Sequence, residues 1–236
     1  MATSVPPDAG PPPGPPPGEP PSEPPGPPPP GPPPYPLTYS VDYPDRPLDR
    51  LSTGLRFLWI IPIAIVLSTV SGGYVSIPGS AMVLSSAGGL LFLAPLLMIL
   101  FREKYPRWWF DWNLELLRFS NRVWAYWLLL RDEYPSTDEH QQVHVDVPYP
   151  DVRHDLNRWL PLVKWLLAIP HYIVLFFLDL GVIVAVVVSW FAIVFTGTYP
   201  KDLFEFVVAV IRWHNRVLAY AFLLLTDQYP PFRLAP

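Results

Sequence analysis

From Phe57 to Phe101 the chain carries no charged side chain, and from Trp165 to Pro200 only Asp179 interrupts the apolar run. A helix needs about 20 mostly apolar residues to cross a bilayer, so each run predicts two spans joined by a short turn. In the first run the spans fall at about 55–71 and 81–101, with SGGYVSIPGS (Ser71 to Ser80) as the turn. In the second they fall at about 160–178 and 181–197, with Lys164 snorkelling to the headgroups and Asp179-Leu180-Gly181 reversing the chain. Soluble cores rarely sustain apolar runs of this length. Ahead of each run the pattern alternates, at Thr38 to Tyr43 and Gln142 to Val147, which predicts two short strands ended by Pro.

Behind each run the period changes to that of a helix. RFSNRVWAYWLLL, starting at Arg118, and RWHNRVLAYAFLL, starting at Arg212, share eight of thirteen positions in one register. On a helical wheel Arg118, Asn121, Arg122 and Ala125 fall within an arc of about 100°, opposite Leu116, Leu117, Val123, Trp124 and Trp127. Arg212, Asn215, Arg216 and Ala219 repeat the layout against Val210, Ile211, Val217 and Leu218. The pattern predicts amphipathic helices at about 110–131 and 202–226, lying in the cytoplasmic interface. Their arginines and asparagines, with Tyr126 and Tyr220, are the candidate contacts to anionic headgroups or to a partner. A bridge from Arg122 or Arg216 to an acid of the opposite copy is the competing role.

These matches extend outward. Tyr43-Pro44 parallels Tyr149-Pro150, Arg50 parallels Arg158, Arg56 parallels Lys164, and Pro62 parallels Pro170. Tyr105-Pro106 parallels Tyr199-Pro200, and each unit closes on another Tyr-Pro. The chain therefore divides into a tail (1–36), a first repeat (37–136) and a second repeat (137–236). The expected fold is an all-α integral membrane protein, with four transmembrane helices in two tandem hairpins, each followed by an amphipathic helix. No Lys or Arg lies in either turn, so the excess of positive charge on the other side puts both termini in the cytoplasm.

Composition narrows the chemistry. Twenty of the 35 prolines fall within the first 36 residues, a stretch without Lys or Arg that favours extended polyproline and buries no core. There is no Cys, which removes disulfides, thiolate metal sites and cysteine nucleophiles together. A net charge of −4 offers no basic field for nucleic acid. The five histidines show no four-residue helical spacing of a zinc site, and haem ligation by His171 with His214 has no counterpart in the first repeat. No nucleophile-elbow pattern accompanies the serines. Asp179 is expected as a turn residue, and Glu115 and Glu205 as favourable charges near helix N-termini. No cofactor, metal or catalytic group is expected.

The string from Phe195 to Phe232, FTGTYP followed by LFEFVVAVIRWHNRVLAYAFLLLTDQYPPF, resembles the bacterial membrane family of domain of unknown function 4389. A weaker copy runs from about Tyr105 to Pro135, where FREKYPRWWF replaces the FTGTYP string. The resemblance covers roughly residues 38–232. It implies tandem copies, a mainly actinobacterial source and residence in the bacterial plasma membrane, and it carries no activity or site residue. The function expected is a non-enzymatic membrane scaffold or accessory subunit binding lipid headgroups and a membrane partner, with self-association also open. A small oligomeric transporter or channel is the alternative, since Pro62, Pro95 and Pro170 are candidates for the helix breaks that transporters exploit.

Overall fold

A computed structural model describes residues 35–71, 93–137, 139 and 141–235. The expected tail lies almost wholly outside the described residues, as do the first polar turn after Ser71 and the first part of the span expected at 81–101. The described chain opens with β1 (Thr38–Val41), followed by α1 (Arg50–Ser71), α2 (Leu93–Arg102) and α3 (Arg107–Trp127). It continues through β2 (Val143–Asp146), α4 (Val152–Asp155), α5 (Pro161–Leu167), α6 (Ile169–Thr196) and α7 (Lys201–Ala221).

The alternating stretches form an antiparallel two-stranded sheet, with Tyr39 opposite Val145 and Val41 opposite Val143. These apolar positions point inward and the residues between them face out, as a period of two dictates. The inner face covers α3 and α7, whose apolar stripes (Leu114 and Leu117; Val207, Val210 and Val217) build the main core. A smaller cluster of Ile60, Ile63, Phe119, Val123 and Tyr126 seats α1 on α3.

The four-span, all-α expectation is overturned. Two helices among the described residues are long and apolar enough to cross a membrane, at Arg50–Val70 and Ile169–Thr196. In the second half no hairpin turns at Asp179-Leu180-Gly181. Instead, α6 runs unbroken for 28 residues, about 42 Å at 1.5 Å per residue. Three features accompany this continuity. Val182, Ile183 and Val184 carry the helix on directly after Gly181. Asp179 reaches His214 of α7 at 3.4 Å. A Cβ on Gly181 would stand 3.2 Å from the Phe206 ring, so that glycine permits close helix packing. The chain reverses at Gly197, whose φ of 81° caps α6 in the left-handed region that suits glycine. The helix starts only at Ile169 because Pro170 breaks the run there, leaving residues 161–167 as the separate α5. In the first half the described part of the expected second span is the ten-residue α2.

The unbroken α6 brings its C-terminal end onto the opposite half. The Leu48 amide donates to the Gly197 carbonyl at 2.8 Å, and the Trp190 indole donates to the Thr53 carbonyl at 3.2 Å. The Tyr43 hydroxyl donates to the Tyr199 carbonyl, and in the reciprocal contact the Tyr149 hydroxyl donates to the Tyr105 carbonyl. Each half thus receives the end of the other's apolar segment.

A bulky residue at 181 tests the helix packing. Gly181→Leu is expected to destabilise the protein by about 1–3 kcal/mol, the usual cost of overpacking. The loss should shrink when Phe206→Ala is added. Thermal unfolding of the single and double variants in detergent measures both.

Candidate functional site

The repeated motif converges where α3 crosses α7. The Asn121 amide donates to the Asn215 Oδ1 at 3.0 Å, and the Asn215 amide donates back to Asn121 Oδ1 at 2.6 Å. Both side chains are buried, so this is a closed, mutually satisfied pair inside an apolar contact.

The arginines around it turn to main-chain carbonyls. Arg118 Nε donates to Val145 of β2 and Arg212 Nε donates to Tyr39 of β1, each at 3.0 Å. Each helix thereby grips the strand that leads into the other half. Arg122 donates to the Ser136 carbonyl at 2.8 Å, and Arg216 donates to the carbonyls of Arg233 and Ala235. Arg122 is 9% exposed and Arg216 is 3% exposed, which places them inside the fold rather than on the exposed edge that the helical wheel predicts. Arg118 stays half-buried and keeps a surface contact to Glu115 at 2.6 Å. Neither Arg122 nor Arg216 bridges to an acid of the other half through its observed bonds.

Tyr126 and Tyr220 belong to a second constellation, again present twice. Arg56 donates to the carbonyls of Tyr126 and Arg131, pairs with Asp132, and lies 4.4 Å from the centre of the Tyr126 ring. Lys164 donates to the Thr226 carbonyl at 2.7 Å, pairs with Asp227 at 2.6 Å, and lies 5.1 Å from the Tyr220 ring centre. Each acid also accepts a main-chain amide, from Asp49 and from Asn157 respectively. The side chain of Lys164 is 0% exposed, so it is an internal clamp and not the snorkelling residue expected. Burial pulls its pKa below the usual lysine value, and Asp227 offsets part of that. The pairing of Arg56 with Lys164 is visible in the aligned repeats. Asp132 and Asp227 carry the matching signal, each two residues before a closing Tyr-Pro.

The histidines are spent separately. His171 accepts the Trp213 indole N–H at 3.0 Å and stacks on Phe232 with ring centres 4.0 Å apart. His214 faces Asp179, the residue expected in a turn, from the middle of α7. His144 pairs with Asp42 and His154 with Asp151 at the surface, and His140 lies outside the described residues. Glu205 pairs with Lys201 on the first turns of α7. Among the described residues no group of three or more His, Asp or Glu is placed to hold a metal ion.

The family model of a domain of unknown function, DUF4389, matches residues 159–233. No curated protein and no solved structure matches the chain.

Two outcomes follow from this geometry. Asn121→Leu leaves the Asn215 amide buried and unpaired, which costs about 1–3 kcal/mol. The double change Asn121→Leu with Asn215→Leu should cost less than the sum of the two single changes, read from melting temperatures. The second outcome concerns alkali. Burial raises the hydroxyl pKa of Tyr35, Tyr39 and Tyr105, and pushes that of Tyr199 up to about 12. The unfolded chain releases these protons first, so the stability they confer is complete below pH 10 and is lost as pH rises above it. Each such tyrosine steepens the fall by about 1.4 kcal/mol per pH unit within its window. Lys164, and at higher pH Arg212 and Arg216, whose pKa values burial also lowers, act in the opposite sense, but the four tyrosines outnumber them. Unfolding midpoints measured across pH 8 to 12 are expected to decline once pH passes about 10.

Proposed function

We propose, from the premise that through residues 159–233 the chain belongs to the DUF4389 family, that it is a membrane-embedded, non-enzymatic scaffold or accessory subunit. In this reading it is built from two copies of one unit, and it contacts lipid and a membrane partner. The observation that carries the proposal is the outer face of α6. Phe176, Phe177, Ile183, Val184, Val187 and Phe195 all lie exposed on a helix of mean hydropathy 2.6, of which 22% is buried in its most apolar window. A soluble protein buries such a helix; an apolar surface of this extent requires lipid or a partner to cover it.

The same exposure recurs on α1, through Phe57, Leu58, Trp59, Ile61 and Ile65. Trp108, Trp159 and Trp165 are exposed near helix ends, the position in which indoles favour the boundary between hydrocarbon and headgroups. The exposed Arg107 and Lys201 supply positive charge for anionic headgroups. The motif arginines support a scaffold rather than chemistry, because each of them donates to a main-chain carbonyl.

Charge placed on the outer face tests this reading. Val184→Lys with Val188→Lys costs about 2.5–3.5 kcal/mol per lysine in hydrocarbon, and next to nothing in water. The wild-type chain is expected to stay in the membrane fraction after alkaline carbonate washing, and the double variant to be depleted from it. A wild-type chain released by carbonate, with a double variant equally abundant and soluble, would sink the proposal.

A further inference from the structure

The two copies part company at one string. Tyr105-Pro106 aligns with Tyr199-Pro200, so Arg102, Glu103 and Lys104 stand where the second copy has Thr196, Gly197 and Thr198. The turn is shared, since Glu103 holds a φ of 49° and Gly197 one of 81°, both in the left-handed region. That region suits glycine and strains glutamate, so the turn itself does not call for the charged string. The helix dipole does not call for it either. Basic residues favour the last turn of a helix, and α2 ends on Arg102, but the matching end of α6 carries none.

Arg102, Glu103 and Lys104 line an open cleft of about 620 Å³, with Met98, Tyr149 and Asp151 among its other walls. Its size falls within the roughly 300–1,000 Å³ common for small-molecule sites. The cap of α2 fixes the turn, with the amides of Glu103 and Lys104 donating to the carbonyls of Ile99 and Met98 at 3.2 and 3.4 Å. Both acids of the lining have partners. Glu103 pairs with Arg158 at 2.6 Å, and Asp151 contacts His154 at 2.8 Å. The side chains of Arg102 and Lys104 are exposed, and among the described residues they have neither an ion pair nor a hydrogen bond. Two cations are thus left over in one concave site, where their fields add.

Apolar surface adjoins the cations. Phe101, next to Arg102 in the chain, is 73% exposed, and Leu97, one turn back on α2, is exposed as well. A soluble anion gains nothing from such neighbours, whereas a molecule carrying an anionic group on an acyl chain uses both. A choline or ethanolamine group would set a further cation beside two unpaired ones. We propose that this cleft binds one phospholipid whose headgroup is negatively charged overall. Its phosphate accepts from Arg102 and Lys104, and an acyl chain lies along Leu97 and Phe101. The proposal deepens the membrane reading and rests on it for the supply of lipid.

The test uses the full-length protein in a non-ionic detergent, with bound lipid counted by native mass spectrometry as phosphatidylglycerol is titrated into the micelles. One phosphatidylglycerol is expected to bind saturably, and phosphatidylcholine with the same acyl chains about tenfold more weakly. Arg102→Thr with Lys104→Thr installs the residues of the second copy. Both side chains are exposed and unpaired, so the double variant should keep the melting temperature. It should weaken phosphatidylglycerol binding about thirtyfold, or about fivefold per cation. Glu103→Gln releases Arg158 as a third cation and should tighten binding about fivefold. Arg46→Thr with Lys201→Thr removes two exposed cations outside the cleft and should leave the saturable component unchanged. Equal losses in the two double variants, or phosphatidylcholine bound as tightly as phosphatidylglycerol, would overturn the site. So would displacement by inorganic phosphate or polyglutamate as effective as that by the lipid, since the occupant would then be a free anion or an acidic protein. The carbonate wash separates the two proposals. A chain released by carbonate, whose saturable lipid binding still depends on Arg102 and Lys104, keeps the cleft and refutes the membrane reading. A carbonate-resistant chain that binds phosphatidylglycerol equally well with and without the two cations refutes the cleft alone.

Discussion

Buried main-chain carbonyls that need donors set the plan of this molecule. After α3 and after α7 the chain leaves the helix through a residue with positive φ, Leu129 and then Leu224, and so exposes carbonyls inside a packed interior. An unmet carbonyl there is costly, so a donor has to be brought in. Arg56 and Lys164 are those donors, each arriving from a helix earlier in its own half. Arg122 and Arg216 do the same for the segments that follow, and Arg118 and Arg212 for the strands of the opposite half. A carbonyl accepts from either cation, which explains why Arg56 and Lys164 can stand in equivalent places without equivalent geometry.

The second constraint is the continuity of α6. Because the helix does not fold back, its far end docks against Leu48 and Thr53, in the first half of the chain. The halves are therefore tied by the sheet, by the Asn121–Asn215 pair and by the ends of the apolar segments. None of these contacts forms within one half alone, so each half is incomplete without the other. Reciprocal pairs such as Tyr43 with Tyr199 and Tyr149 with Tyr105 tie each half to the other in the same way.

The elements legible in the sequence are those whose signal is local. Alternation at Thr38 to Tyr43 and at Gln142 to Val147 places both strands, which form at Thr38–Val41 and Val143–Asp146, and the helical period places α3 and α7 to within a few residues. Their pairing with each other was not legible, because it depends on which carbonyl Arg118 and Arg212 reach. The turn was misread for a definable reason. Asp179-Leu180-Gly181 has turn composition, but Gly181 is there to admit the Phe206 ring, and the residue that reverses the chain is Gly197 in FTGTYP. Composition does not distinguish a glycine that supplies a left-handed φ from one that supplies space. The burial of Arg122 and Arg216 was hidden similarly, since a helical wheel assigns charge to water and cannot see the carbonyls of residues 136, 233 and 235 closing over it.

Taken together, these constraints divide the surface by chemistry. The motif arginines, the asparagine pair and the two clamps all face inward and are used in holding the halves together. What remains outside on α1 and α6 is almost entirely hydrocarbon and indole. The groove beside α6 is where polar groups (the asparagine pair, and His214 with Asp179) and apolar surface meet. Among the described residues, the polar groups left without a partner are spread through the interior rather than gathered at one place, among them the hydroxyls of Tyr39, Thr53, Tyr172, Ser189 and Tyr199, so the inward chemistry serves the joining of the halves and the outward surface is left to its surroundings.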